Sequence, residues 1–346
     1  MKVLFIGLGG IGQRHLRNLL SLSKNKLEIY AWRVKNDNKE ITNTLSQEKS
    51  SNIAKKYNIK VFNSLNKALE IKPSITFICN PSSMHIKPAI LAVKSGSHVF
   101  IEKPLSNTID GIKELVKESE KRKKLVYVGF QLRFNPVINK LKEIVEKKEI
   151  GKILGVRAEV AEYMPGFHKY ENYKNSYASK KNLGGGVILT QIHEIDYLQW
   201  IFGVPKRAFA LGGKYSGLEI NVEDCASILI ESRLKKIDIP ISIYMDYLQK
   251  DPRRTCYVYG SEGRIEADLK NLTLSIIKDT NKVRKFQWKN FDRNEQFIEQ
   301  LKHFLKAIKN KEKPLVDIKE GLKSLDIALT IKKSLKDKKI KKINYS

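Results

Sequence analysis

The chain has 346 residues, with 65 Lys or Arg against 37 Asp or Glu, a formal charge of +28 and 41% hydrophobic residues. This length predicts two domains rather than one, with apolar content for a core in each. The charge suggests nucleic acid, but the lysines are scattered on amphipathic stretches beside glutamate (Lys113-Glu114, Lys117-Glu118, Lys142-Glu143) and no basic run is interleaved with aromatics, so neither nucleic acid nor a membrane is expected as a partner, since no apolar run reaches spanning length.

In chain order, the first third alternates strands and helices. Val3–Ile6 predicts a strand, Gln13–Leu22 a helix and Leu27–Trp32 a second strand. Residues 40–57 read as a helix before a short strand at Lys60–Phe62 and a short helix at Leu65–Glu70. Ile75–Cys79 is a continuous apolar run of the kind buried in a parallel sheet. Helix Lys87–Lys94 stops at Gly96, and strand His98–Ile101, helix Asp110–Lys123 and strand Val126–Gly129 follow. This alternation predicts a doubly wound parallel sheet of Rossmann type over residues 1–128.

Beyond Gly129 the pattern changes. A helix Pro136–Lys147 precedes alternating strands at Ile153–Glu162, Arg207–Gly212, Asp224–Ser232, Ile239–Asp246, Arg254–Tyr259, Arg264–Asp268 and Leu272–Ile277. A helix Val187–Ile201, entered through Gly184-Gly185-Gly186, interrupts them. Helices near Asn294–Asn310 and Ile318–Lys336 close the chain, and Lys336 to Lys342 reads as a solvated tail. Residues 129–346 therefore predict an α+β domain with an open, mostly antiparallel sheet. One face of such a sheet is available to a second subunit, so a homodimer or homotetramer is expected through it. Cys79, Cys225 and Cys256 stand far apart, predicting reduced thiols and no metal site. The start, Met1-Lys2 before Val3–Ile6, breaks too early into glycines for a signal peptide, and a cytoplasmic protein is expected.

The sharpest motif is Ile6-Gly7-Leu8-Gly9-Gly10-Ile11-Gly12-Gln13, between the first strand and the first helix. Gly7 permits the bend, Gly9 lets a pyrophosphate approach the backbone, and Gly12 lets helix and strand pack closely. The first N–H groups of the helix, at Gly10 and Ile11, then face the phosphates. Glu102-Lys103-Pro104 follows the strand at His98–Ile101, where the carboxyl ends of strands line the ligand crevice. The tripeptide alone is equally compatible with a surface lysine. Asn80-Pro81-Ser82-Ser83-Met84-His85 lies at the next crevice position; it can meet a cofactor or be an ordinary helix start capped by Ser83.

These segments, with Gly184-Gly185-Gly186 and the later His193-Glu194-Ile195-Asp196, occur in an order that resembles the glucose–fructose oxidoreductase / inositol dehydrogenase (Gfo/Idh/MocA) family over essentially the whole chain. The resemblance implies an NAD(P)-dependent oxidoreductase acting on a sugar, cyclitol or nucleotide sugar. It implies Lys103 as acid/base and His193 as its partner on the substrate oxygen. It adds Asn80, Pro81, His85, Glu102, Lys103 and Gln131 to Gly7, Gly9, Gly10, Ile11 and Gly12 as cofactor contacts. Arg133, Tyr163, His168 and Thr190 join Lys103 and His193 at the substrate, with Tyr173 and Tyr177 in the same polar, aromatic loop and Asp246 and Tyr247 at a strand end near the cleft. Burial must lower the lysine from its ordinary ~10.4 for it to act as a base, while a histidine titrates near neutrality unaided.

One departure stands out. Many relatives carry an aspartate at the head of the His193 helix, where this chain has Thr190 at a spacing one residue shorter. Either the lysine falls further, or Asp196 or Glu194 compensates, or the activity is changed. That departure motivates one alternative, a sensor that binds NAD(P) without catalysis; a lyase that uses tightly held NAD for transient oxidation is a separate one. At the end of the second strand, Ala31-Trp32-Arg33-Val34-Lys35 has no acid until Asp37. An acid there accepts from the ribose hydroxyls of NAD, whereas Arg33 suits a 2′-phosphate, so NADP is favoured over NAD.

Overall fold

The computed structural model describes residues 1–23, 27–33, 39–44, 46–168, 170–278 and 282–346. The apolar run at the start forms β1 (Lys2–Ile6), buried from Val3 onward. Such continuous burial belongs to a parallel sheet covered on both faces. After α1 (Gly10–Leu22) the chain returns as β2 (Glu28–Trp32), and later as β5 (Lys60–Phe62), β6 (Ile75–Ile78), β7 (His98–Glu102) and β8 (Val126–Gly129). Together these make a six-stranded parallel sheet in the order β5-β2-β1-β6-β7-β8. Helices α3 (Leu65–Glu70), α4 (Ile86–Lys94) and α5 (Ile112–Arg122) connect the strands. The strand order reverses beside β1, which opens the ligand crevice at the strands' carboxyl ends.

Residues 40–57 depart from the expected helix. They form an antiparallel pair, β3 (Lys39–Ile41) and β4 (Gln47–Asn52), and then a single turn, α2 (Ile53–Lys56), capped by Asn52. Thr42, Thr44 and Ser46 bond one another's hydroxyls at the turn, and such residues compete with helical hydrogen bonds. The deciding contact is distant in sequence. Gln13 on α1 donates to Lys39 O (2.9 Å) and accepts from Ile41 N (2.7 Å), completing the backbone pairing of β3.

The second sheet has nine strands, in the order β16-β15-β14-β13-β9-β12-β11-β10-β17. Their ranges are β9 Ile153–Ala161, β10 Val204–Gly213, β11 Cys225–Leu234, β12 Ile237–Asp246, β13 Arg253–Gly260, β14 Gly263–Asp268, β15 Thr273–Lys278, β16 Lys282–Gln287 and β17 Lys341–Lys342. It is antiparallel except where β12 runs parallel to β9. Strand β16 shows no apolar alternation because it is an exposed, charged edge. The expected C-terminal tail is instead docked: β17 pairs with β10, Ile343 is buried, and Tyr345 donates to Pro205 O at 2.8 Å. Most of its lysines are solvated, but the backbone of Lys341 and Lys342 pairs with β10 and closes the sheet edge.

Helices α6 (Pro136–Glu146), α9 (Glu295–Asn310) and α10 (Ile318–Asp337) complete the packing. The last two return to the first sheet. Phe304 meets Phe77, Phe100 and Tyr127 ring to ring, and Val128 donates to Val316 O. Gly321 lies so close to β8 that an added Cβ would stand 2.5 Å from a Val128 methyl. The chain's end thus covers a face of its beginning. On the second sheet, α10 and α8 (His193–Phe202) cover the face of Ala208, Ala210 and Ile228. Leu154, Leu211 and Leu229 on the opposite face are more than half exposed. Among the described residues no helix is long and apolar enough to cross a membrane.

Candidate active site

The glycine turn has the shape its sequence demands. Gly7 adopts φ +90°, and a Cβ on Gly12 would lie 2.4 Å from Gly7 O. A Cβ on Gly9 would meet nothing within 4 Å, so this residue faces open space. Helix α1 starts at Gly10 with neither a side-chain cap nor an acid in its first turn. Its first N–H groups lack intrahelical partners and face outward as an anion site. The Tyr170 phenol, from the loop after β9, sits against the Gly10 N–H. Gly7 N donates to Trp32 O, which places Arg33 beside the turn. Val34, Lys35 and Asp37 lie outside the described residues.

Lys103 directly follows β7 and is joined to Pro104 by a cis peptide bond. It reaches across the crevice, where its Nζ donates to Thr190 O at 2.6 Å. Burial is the largest influence on its amine and holds it down at about 8. Glu102, Glu162 and Glu194 oppose that effect, and Arg254 adds to it. The compensation asked of Asp196 therefore comes from elsewhere: Asp196 is turned away into a buried bidentate pair with Arg133, at 2.8 and 2.9 Å. Thr190 contributes its carbonyl, while its buried hydroxyl has no hydrogen-bond partner among the described residues.

His193 opens α8. The expected helix Val187–Ile201 is broken into α7 (Val187–Thr190) and α8 at Gln191 and Ile192. Gln191 donates to Glu162 at 2.6 Å, and Arg254 takes Glu194 with two bonds of 2.7 and 2.9 Å. These contacts fix the break and set His193 on the crevice wall. Its Nε2 lies 3.0 Å from Gln131 Nε2, while its Nδ1 and Gln131 Oε1 are buried without partners among the described residues. Burial first, then Lys103, Arg254 and Arg293, hold His193 well below the usual imidazole range. The expectation that it titrates near neutrality is thus corrected: it is neutral. With Gln131 donating to Nε2, the ring proton sits on Nδ1, an unused donor.

Other expected contacts have different tasks. His85 is buried, with its nitrogens on Pro104 O (2.9 Å) and Asn80 O (2.8 Å). It ties the loops after β6 and β7 together and has no nitrogen left for a ligand. Pro81 leads into the short turn Ser82–Met84, and helix α4 has no Ser83 cap. Asn80 donates to Met84 O and keeps a buried Oδ1 without a partner among the described residues. Glu102 is bound to His15 at 2.6 Å and to Lys103 N. Arg133 is 1% exposed, with its guanidinium on Asp196, Glu320 and Leu315 O, so it braces the joint between the sheets instead of meeting substrate. His168 pairs with Glu171 and stacks on Tyr170, Tyr173 accepts from Glu219 N, and Tyr163 has Lys250 over its ring. None of these is brought to Lys103. Asp246 caps the backbone of Leu248 and Gln249, whereas the phenols of Tyr177 and Tyr247, both raised by burial, adjoin Thr190. Sequence reasoning missed Gln191 and Arg254 altogether. The one signal was an acid at each of two element ends, Glu162 and Glu194, that needed partners.

Residues 1–130 match the profile of an oxidoreductase family with an NAD-binding Rossmann fold, and residues 138–266 match the GFO/IDH/MocA C-terminal domain. Over 99% of its length the chain is 27% identical to myo-inositol 2-dehydrogenase of Thermotoga maritima, covering 98% of that protein. It is 26% identical to 2,7-anhydro-N-acetylneuraminate hydratase of Escherichia coli over 69% of this chain and 64% of that protein. The fold superposes on levoglucosan dehydrogenase in complex with NADH with a TM-score of 0.85, at 16% identity and over 100% of both chains.

Lys103 should titrate near 8, read as the pH dependence of its acylation by mass spectrometry. Glu162→Gln removes a charge that favours the ammonium, so the midpoint should fall. An unchanged or higher midpoint would contradict this electrostatic picture.

Proposed function

The chain belongs to the Gfo/Idh/MocA family of oxidoreductases, and from that premise we propose that it interconverts CH–OH and C=O at one carbon of a sugar-like substrate with NAD(P). The observation that carries this reading is the Lys103 amine, held at about 8 across the crevice from the glycine turn and beside a neutral His193. The residues fit a dinucleotide: open space at Gly9, N–H groups without intrahelical partners at the start of α1, and buried polar atoms on Asn80 and Gln131 that have no partner among the described residues. When bound, its nicotinamide supplies the hydride acceptor or donor.

Lys103 carries the proton. In oxidation the neutral amine accepts the hydroxyl proton; in reduction the ammonium returns it to the oxygen. A value near 8 keeps both forms accessible at neutral pH. His193 Nδ1–H donates to the same oxygen, where negative charge develops, and does so without changing its own charge. Arg33 at the end of β2 favours NADP through a 2′-phosphate. The exposed face of Leu154, Leu211 and Leu229 pairs with a second copy.

The sensor alternative loses its motive, because the carbonyl of Thr190 and three nearby carboxylates support Lys103. The lyase alternative draws on the hydratase among the relatives. Cofactor retained through purification, with product formed and no net change in nicotinamide absorbance, would favour it over the dehydrogenase.

Lys103→Met should cut turnover by roughly 10²–10⁴-fold while nucleotide affinity, measured by fluorescence titration, stays within about two-fold of wild type; turnover that survives would remove Lys103 from the mechanism. Wild type should bind NADPH more tightly than NADH, and Arg33→Asp should reverse the order. Equal affinities, or an order indifferent to the substitution, would exclude the NADP preference. Light scattering should give at least a dimer, reduced to a monomer by Leu229→Glu together with Leu211→Glu; a wild-type monomer would leave the sheet face without its partner.

A further inference from the structure

One buried histidine has no part in the proton transfer. His15 stands in the second turn of α1, fully buried among aromatic rings. Its ring centroid lies 4.8 Å from that of Phe100 on β7, 5.7 Å from Phe77 on β6 and 6.2 Å from Phe297 on α9. A polar ring in such surroundings is costly unless it is hydrogen-bonded. Among the described residues its one hydrogen bond is to an acid: Nε2 lies 2.6 Å from Glu102 Oε1. With the carboxylate accepting, Nε2 carries the proton. Nδ1 is buried with no partner among the described residues, so a second ring proton there would be a donor without an acceptor.

The acid at the other end of that bond is held as closely. Glu102 ends β7 and is 6% exposed. Its Oε2 accepts from the backbone N of Lys103 at 3.2 Å. A Cβ on Gly129, at the end of the neighbouring β8, would stand 3.2 Å from Oε1, so the glycine leaves the carboxylate its room. The titratable and charged groups that the carboxylate acts on are Arg14 on α1, Cys79 after β6, His85 before α4, Lys103 and Tyr177, besides its partner His15. Among the charges that act on the Lys103 amine, Glu102 comes first, ahead of Arg254, Glu162 and Glu194, and it favours the ammonium. Glu162 and Glu194 are held from the second half of the chain, by Gln191 and Arg254. Of the three acids, Glu102 is the one held from the helix that opens at the glycine turn.

Resting on the reading of Lys103 as the acid/base, we propose that His15 is a positioning residue: it holds the Glu102 carboxylate against the backbone of Lys103, so that the lysine keeps a fixed negative charge one residue away while it takes and returns a proton. His15 acts through Glu102 and not on substrate. The helix that begins at the dinucleotide turn thereby also sets the lysine.

The test acylates the whole protein with acetic anhydride across a range of pH and follows the modification of Lys103 by mass spectrometry. Wild type should show a midpoint near 8. His15→Phe keeps a ring and removes the donor. The freed carboxylate turns away or takes up a proton, its charge no longer favours the ammonium, and the midpoint should fall by about one pH unit. His15→Gln, whose amide can donate in place of Nε2, should recover most of that fall. Glu102→Gln should lower the midpoint as far as His15→Phe does, and the double variant no further, because the two residues act through one bond. His15→Leu is measured alongside as a second variant without a donor. A midpoint that stays near 8 in a folded variant without the donor, whatever its melting temperature, would overturn the proposal. So would a fall that glutamine does not recover, additive effects in the double variant, or loss of folding in both His15→Phe and His15→Leu while Glu102→Gln folds, which would leave His15 a packing residue. This readout needs no substrate, so the dehydrogenase reading fails separately, through turnover that survives Lys103→Met.

Discussion

A single hydrogen bond across the crevice, from Lys103 Nζ to Thr190 O, joins the first sheet to the helices of the second half of the chain. It links the end of a parallel strand to the end of a helix 87 residues further on. Placing an amine there removes it from water, and that desolvation, more than any neighbouring charge, makes the lysine able to give up its proton. The carboxylates of Glu102, Glu162 and Glu194 keep it from falling too far. The balance depends on geometry: each acid is fixed by a partner, so its influence on the lysine is constant.

The surrounding structure can be understood as support for that contact. His85 ties the loop after β6 to Pro104, so the segment carrying Lys103 is held from behind. Glu102 is anchored by His15, which sits on the helix that starts at the glycine turn. The acceptor side is fixed by Gln191 and Arg254, whose bonds to Glu162 and Glu194 hold the break between α7 and α8. Arg133 and Asp196 brace the joint, and the C-terminal helices cover the first sheet behind it. The net stabilisation from a buried pair of this kind is small, because desolvation offsets much of its attraction.

Much of the fold was legible in the chain because it follows from short-range rules. Continuous apolar runs bounded by glycines gave the parallel strands, and period-two alternation gave most of the second sheet. The failures have one cause. The hairpin at 39–52 exists because Gln13 completes its backbone bonds, strand β17 because β10 offers an edge, and the break at Gln191 because two side chains from other strands hold it. Each is a contact between residues far apart in sequence, which no local pattern records. The site divides in the same way. Motifs singled out the glycine turn, Lys103 and His193, which the fold brings to the crevice, whereas Arg133 and His85 have their polar atoms engaged inside the protein, which no motif records.

The sequence by itself determined the dinucleotide turn, the alternation of strands and helices, and the family to which the chain belongs, since these depend on glycine backbone freedom, apolar periodicity and the spacing of a few residues. Only the tertiary structure decided the state of the chemistry. Whether a lysine is lowered toward neutrality, a histidine neutral, or an arginine a buried brace depends on burial and on which charges stand nearby, and those distances are set by the folded chain as a whole.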